Sequence, residues 1–252
     1  MQRRKFLAAA GTAALPFALG ATTGGADPDE RQLIELRTYE IKFGGSGRGV
    51  LLDYLKGALK PTLLRRGCPT VRVMKETGDA EPALIWVLIA YPDAATYVSC
   101  QHLNADPEYR EAAKEYNAVP AGKPVYNRFS SQLLHAFTGM PKVFDPSAEA
   151  GLFELRTYEG YSEDAVRRKI GMFNDEEIPL FLKVGLHPVF FGKMIAGPYR
   201  PSLVYMLHFK NMEERNANWS VFGSHPEWKE MVVKEKYANS VSNIRKTFLQ
   251  PV

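Results

Sequence analysis

Glu35-Leu36-Arg37-Thr38-Tyr39-Glu40 recurs unchanged as Glu154-Leu155-Arg156-Thr157-Tyr158-Glu159. Six identical residues in one 252-residue chain mark an internal repeat, which predicts two copies of one supersecondary unit. The first copy lies in an alternating stretch, Leu33 to Ile41. Ile34, Leu36 and Thr38 share one face and Glu35, Arg37 and Tyr39 the other, as in a strand. The segments that follow each copy run in parallel.

After the first copy comes a glycine-rich loop, Gly44 to Gly49. An amphipathic helix follows, carrying Val50, Leu51, Tyr54, Leu55, Ala58, Leu59 and Leu63 at helical spacing and ending at Gly67. Pro61 bends that helix or starts its last turns. Thr70 to Glu76 and Leu84 to Tyr91 read as strands joined through Gly78-Asp79. Asp93 caps one helix, Asp106-Pro107-Glu108 opens another, and Arg128 to Phe137 is a fourth strand. The second copy repeats the series. Pro179 and Gly185 fall where Pro61 and Gly67 fell, Asn211 caps a helix with Glu214 three residues on, and Val241 to Leu249 closes the unit.

The organisation expected is therefore a first unit over 31–137, a proline-containing linker over 138–150 and a second unit over 151–250. Each unit reads as β-α-β-β-α-β, the ferredoxin-like arrangement. Such a unit leaves one sheet face bare, and two units bury their bare faces against each other. The predicted fold class is α+β: two tandem ferredoxin-like units closing into a pseudo-twofold dimeric α+β barrel.

Residues 1–26 read as an address. Arg3-Arg4-Lys5-Phe6-Leu7 precedes an apolar run broken by Gly11, Thr12 and Pro16, which suits a secretory signal and resembles the twin-arginine form. The run is shorter than the roughly 20 residues of a spanning helix, so no stable membrane span is expected after cleavage. The expected location is periplasmic or otherwise extracytoplasmic. Setting Arg3, Arg4 and Lys5 aside reduces the formal charge from +4 to +1, and no basic block remains for nucleic acid. Cys68 and Cys100 match no metal or redox spacing, and whether they pair is open.

The candidate ligand-binding residues are Glu35, Arg37, Tyr39, Glu154, Arg156 and Tyr158, with Trp86 and Tyr205 on matched strands. If Ile34 and Leu36 face the helices, alternation sends Glu35, Arg37 and Tyr39 into the barrel. Buried charges there must be paired. Either the acids and arginines of the two halves lock the sheets together, or one arginine stays free to hold a small anion. Trp86 and Tyr205 would then be pocket walls or core, with His208 on the opposite face. No His-Glu-x-x-His or similar pair occurs among the five histidines, so no metal site is predicted.

Glu-Leu-Arg-Thr-Tyr at the head of each unit, the strands Ile85-Trp86-Val87 and Val204-Tyr205-Met206, and the helix start His225-Pro226-Glu227-Trp228 resemble NIPSNAP domains. The first unit departs from that pattern with Asp106-Pro107-Glu108-Tyr109. The resemblance implies the dimeric α+β barrel superfamily and supplies no catalytic residues. The function expected is binding of a small, partly apolar or anionic ligand, or service as an interaction scaffold, with homo-oligomerisation open. The alternative is a small-substrate enzyme, a cofactor-free monooxygenase or a haem enzyme. No cofactor is predicted; a haem would need only one histidine, with His102 and His225 as candidates.

Overall fold

The computed structural model describes residues 30–42, 47–79, 81–146 and 149–252. Residues 1–26, expected to be an export signal, and the residues Gly44, Gly45 and Ser46 lie outside that set. Among the described residues no helix is long and apolar enough to cross a membrane.

Eight strands form one closed barrel: β1 Leu33–Glu40, β2 Thr70–Glu76, β3 Leu84–Tyr91, β4 Arg128–Ala136, β5 Leu152–Glu159, β6 His187–Ala196, β7 Ser202–Phe209 and β8 Asn243–Pro251. The order around it is β1-β3-β2-β8-β5-β7-β6-β4. Each repeat supplies a four-stranded antiparallel sheet with its hexapeptide strand, β1 or β5, in a central position. The edges meet at β2–β8 and β4–β6, so neither sheet keeps an open edge.

The helices lie outside. In the first half α1 (Arg48–Tyr54) and α2 (Lys60–Arg65) are joined by a π-helical turn, Leu55–Leu59, and followed by α3 (Ala94–Ser99), α4 (Pro107–Ala112) and α5 (Lys114–Asn117). In the second half α6 (Glu163–Met172) and α7 (Ile178–Lys183) flank a matching turn, Phe173–Glu177, before α8 (Met212–Ser224) and α9 (Pro226–Val232). Pro61 and Pro179 explain both wide turns. A proline inside a helix has no N–H to give and its ring crowds the carbonyl four residues back, so the preceding turn opens.

Three apolar clusters result. The central one takes a buried side chain from every strand: Leu36, Met74, Trp86, Leu134, Leu155, Phe190, Met206 and Leu249. It fills the barrel, as expected for an eight-stranded barrel whose interior is just wide enough for side chains. The other two lie between the outer sheet faces and the helices of each half.

This arrangement corrects the expected orientation. Ile34 and Leu36 face the interior, and Glu35, Arg37 and Tyr39, with Glu154, Arg156 and Tyr158, face the helices. Both faces of these strands are covered, so either parity buries all of them. The interior took the face of Ile34 and Leu36, and the charged face went to the helix side, where its groups find hydrogen-bond partners.

Candidate functional site

The eight candidate residues do not converge. Seven occupy the two helix-facing layers on opposite flanks of the barrel, and Trp86 alone belongs to the interior, where its indole N–H donates to Glu76 Oε1 at 3.2 Å. The expected match of Trp86 to Tyr205 is one residue out. Trp86 stands opposite Thr38 and Tyr205 opposite Arg156, so the counterpart of Trp86 is Val204 and that of His208 is Ala90. A single-residue slip exchanges the two faces of a strand. Trp86 and Tyr205 therefore point opposite ways, and His208 shares the parity of the interior.

The charged residues pair within their own strands rather than between the halves. In the first half Arg37 donates Nε to Glu35 Oε1 at 2.9 Å and Nη2 to Oε2 at 3.0 Å, and Tyr91 donates to Oε2 at 2.7 Å. Ser131 completes the set. Burial alone would raise the Glu35 carboxyl, but Arg37, Ser131 and Tyr91 hold it below the ordinary carboxylate range. Tyr39 packs edge-on to Tyr126.

The second half is richer. Glu154 is wholly buried and accepts from Arg156 Nε at 2.8 Å, from Arg215 Nε and Nη2 at 2.9 and 2.8 Å, and from Trp219 Nε1 at 2.7 Å. These donors, Arg215 foremost, outweigh its burial and keep its carboxyl low. The Arg156 guanidinium lies 3.8 Å above the Trp219 ring, and the Tyr158 and Tyr205 hydroxyls meet at 3.0 Å. Burial drives the Tyr205 phenol far above its usual range. Lys169 and Glu177 form a separate buried pair at 2.6 Å. In the second half Arg215 and Trp219 of α8 bolt Glu154 of β5 to a helix, whereas in the first half the partners of Glu35 all lie on strands of the sheet.

An opening lies elsewhere, at one mouth of the barrel. A groove of about 440 Å³ is lined by Gly139, Met140 and Phe144 of the linker, Ile178 and Leu182 of α7, His187 and Pro188 of β6, and His208 of β7. His187 pairs directly with His208, their rings stacked 5.3 Å apart, and Phe144 stacks on His208 at 6.0 Å. A β-bulge produces this pairing. The β6–β7 register shifts between Pro188 and Phe190, where the proline cannot donate to the ladder. The carbonyl of bulged Val189 accepts instead from Phe144 N–H at 2.8 Å, which ties the linker across the mouth. Val143 N–H reaches Gln32 Oε1 at 2.7 Å, and Arg72 binds Asp145, completing the closure.

Burial first, then repulsion from His187, pushes the His208 imidazole down to about 4. It is neutral at physiological pH and can both donate and accept one hydrogen bond. A smaller pocket of about 100 Å³ on the other side of the two histidines adds Glu149, Lys210 and Glu214. Among the described residues no three His, Cys, Asp or Glu side chains gather as a metal centre requires. His225, a haem candidate, caps α9, its Nδ1 accepting Glu227 N–H at 3.3 Å; His102 is exposed. His187 and Phe144 escaped the sequence reading, and Pro188 inside an otherwise regular strand was the available signal for the bulge.

Two solved structures share this architecture over most of the chain. A candidate monooxygenase from Lactobacillus acidophilus aligns at 11% identity over 87% of this chain and 93% of its own, with a TM-score of 0.58. A second, from Fusobacterium nucleatum, aligns at 8% identity over 88% and 92%, also with a TM-score of 0.58. Both show the α+β barrel fold. A NIPSNAP-like domain protein from Burkholderia xenovorans aligns at 20% identity over 41% of this chain and 87% of its own, with a TM-score of 0.38. No curated protein matches the sequence. The NIPSNAP family model matches residues 153–252. That match lies in the second half of the chain, from the repeated strand β5 onward.

Proposed function

We propose that this protein binds a small, planar, largely apolar molecule carrying one neutral hydrogen-bonding group, in the groove at the barrel mouth. The observation that carries the reading is the ladder of three rings, Phe144, His208 and His187, beside Met140, Ile178 and Leu182. Phe144 and Leu182 are both more than half exposed, an unusual state for large apolar side chains on either side of one opening. The groove volume falls in the range of small-molecule sites, which runs from roughly 300 to 1,000 Å³. A neutral imidazole favours a phenol, carbonyl or amide over a charged group. Lys210, across the histidines, sits with Glu149 and Glu214, so that side offers no clear excess of positive charge.

The two candidate monooxygenases raise the enzyme reading, but at their identities they speak to fold alone. A general base works best with a pKa near the working pH, and His208 at about 4 is a weak one. Binding is therefore the reading we adopt, in a protein exported by the signal at residues 1–26.

2-Naphthol, a flat fluorescent phenol, tests the site by titration into the full chain. Wild type is expected to bind, with Phe144→Ala and His208→Ala weakening binding by roughly threefold to tenfold each, the size of an aromatic stacking contact. Arg37→Lys, remote from the groove, serves as the control. Equal binding by wild type and both groove variants would overturn the assignment.

A further inference from the structure

The two cysteines of the chain, which sequence spacing left unassigned, meet in the first half. Cys68 and Cys100 are both buried, with their sulfurs 3.9 Å apart, although they lie 32 residues apart in sequence. Cys68 follows Gly67, whose φ of 90° turns the chain out of α2, and its N–H closes that exit on the Leu63 carbonyl at 3.0 Å. Cys100 ends α3. The two thiols thus sit where the exit of the first long helix passes the end of the next helix.

The internal repeat shows what this junction requires. Asp93 and Asn211 are matched helix caps, so Cys100 and Asn218, seven residues after each, are counterparts. Gly67 and Gly185 are likewise matched, both at positive φ. In the second half Asn218 Nδ2 donates to the Gly185 carbonyl at 2.7 Å and ties α8 to the exit of α7. In the first half the same crossing holds a thiol pair, besides an exposed bond from Arg66 to the Ser99 carbonyl. A thiol is a weak donor and a weak acceptor, so the pair in its reduced form is the poorer tie.

We propose that Cys68 and Cys100 form an oxidative modification site, closing to an intramolecular disulfide that does in the first half what the Asn218–Gly185 hydrogen bond does in the second. The oxidant is a small or protein-borne disulfide. One thiolate attacks it, forming a mixed disulfide and releasing one thiol; the second cysteine attacks the mixed disulfide and releases the other. The protein loses two hydrogens and the oxidant leaves as two thiols. Burial and the neighbouring sulfur push the Cys68 thiol up, so the folded reduced protein reacts slowly and closure belongs to folding or transient opening.

The test refolds the full chain from denaturant in oxidised and reduced glutathione. The expected product has an intact mass lower by two hydrogens, and a non-reducing digest joins the Cys68 and Cys100 peptides. Its Tm lies about 5 to 15 °C above that of the same protein after reduction, as for a cross-link closing a loop of this length. Cys68→Ser and Cys100→Ser, each expected to fold, gain at most one glutathione and show no such shift. Two free thiols or glutathione adducts after refolding would overturn the proposal, and so would a disulfide that leaves Tm unchanged or lower.

Discussion

Glu154→Ala is the sharpest test of the view that the second copy of the Glu-Arg-Tyr edge bolts its sheet to α8. The carboxylate is wholly buried and serves Arg156, Arg215 and the Trp219 N–H at once. Its removal leaves two guanidinium groups facing each other with 10% and 16% side-chain exposure. Breaking a buried ion pair by deleting one partner costs about 3–5 kcal/mol. The residual exposure of both arginines places the expected loss near the lower end, about 3 kcal/mol. In a chain of this size that corresponds to a fall in Tm of about 6–12 °C. Glu154→Gln keeps an acceptor oxygen and should recover part of it. The assay is urea unfolding followed by circular dichroism, comparing midpoints at a common slope.

The same reasoning fixes a pH signature. The folded Glu154 pKa lies below its unfolded value, so its stabilisation is present above roughly pH 4.3 and disappears as pH falls through the folded pKa. The gap between wild type and Glu154→Ala should therefore narrow on acidification. A variant within about 1 kcal/mol of wild type at pH 7, well short of a broken buried pair, would refute the bolt reading. So would a gap that is the same at pH 7 and pH 3.

Tyr158→Phe and Tyr205→Phe each remove one side of a buried hydroxyl pair and should each cost about 1 kcal/mol, whereas the double variant should cost little more than either alone; additive losses in the unfolding cycle would show that the hydroxyls do not depend on each other. His208 has a folded pKa of about 4 against an ordinary value of 6.5, so the unfolded chain takes up a proton that the folded chain refuses as pH falls between them. Stability should fall from pH 7 towards pH 4, and His208→Phe should flatten that slope; urea midpoints at pH 7 and pH 5 that move equally in both proteins would count against a buried neutral imidazole. The naphthol titration and the glutathione refolding test the groove and the thiol pair.

The fold was legible because its signals are local and doubled. The alternation around Leu36 and Leu155, the glycines at 67 and 185, and the prolines at 61 and 179 each state one backbone requirement, and each states it twice. Orientation was not legible. Alternation separates the faces of β1 but names neither, and the usual inference that polar residues seek the freer side fails when helices cover one face and a barrel the other. The slip between Trp86 and Tyr205 has a related cause. Both are large aromatics in apolar strands, whereas the register that separates them is carried by pairing with Thr38 and Arg156 across the sheet.

The groove needed three distant facts together. The bulge at Val189 turns His187 to face His208, the linker brings Phe144 onto His208, and the Phe144 N–H takes the carbonyl that the bulge set free. Pro188 signals only the first of these in the sequence; the approach of the linker and the ring contact are long-range and leave no local mark. A filled interior also decides where a ligand can go. Eight strands close on a cluster of buried side chains, and the charged groups of the helix-facing layers are paired with one another. The mouth is where the ladder is interrupted by Pro188, and so where side chains are released from pairing to meet something else. A ligand that binds this barrel should therefore compete with substitutions at Phe144 and His208 and ignore those at Arg37 and Glu35.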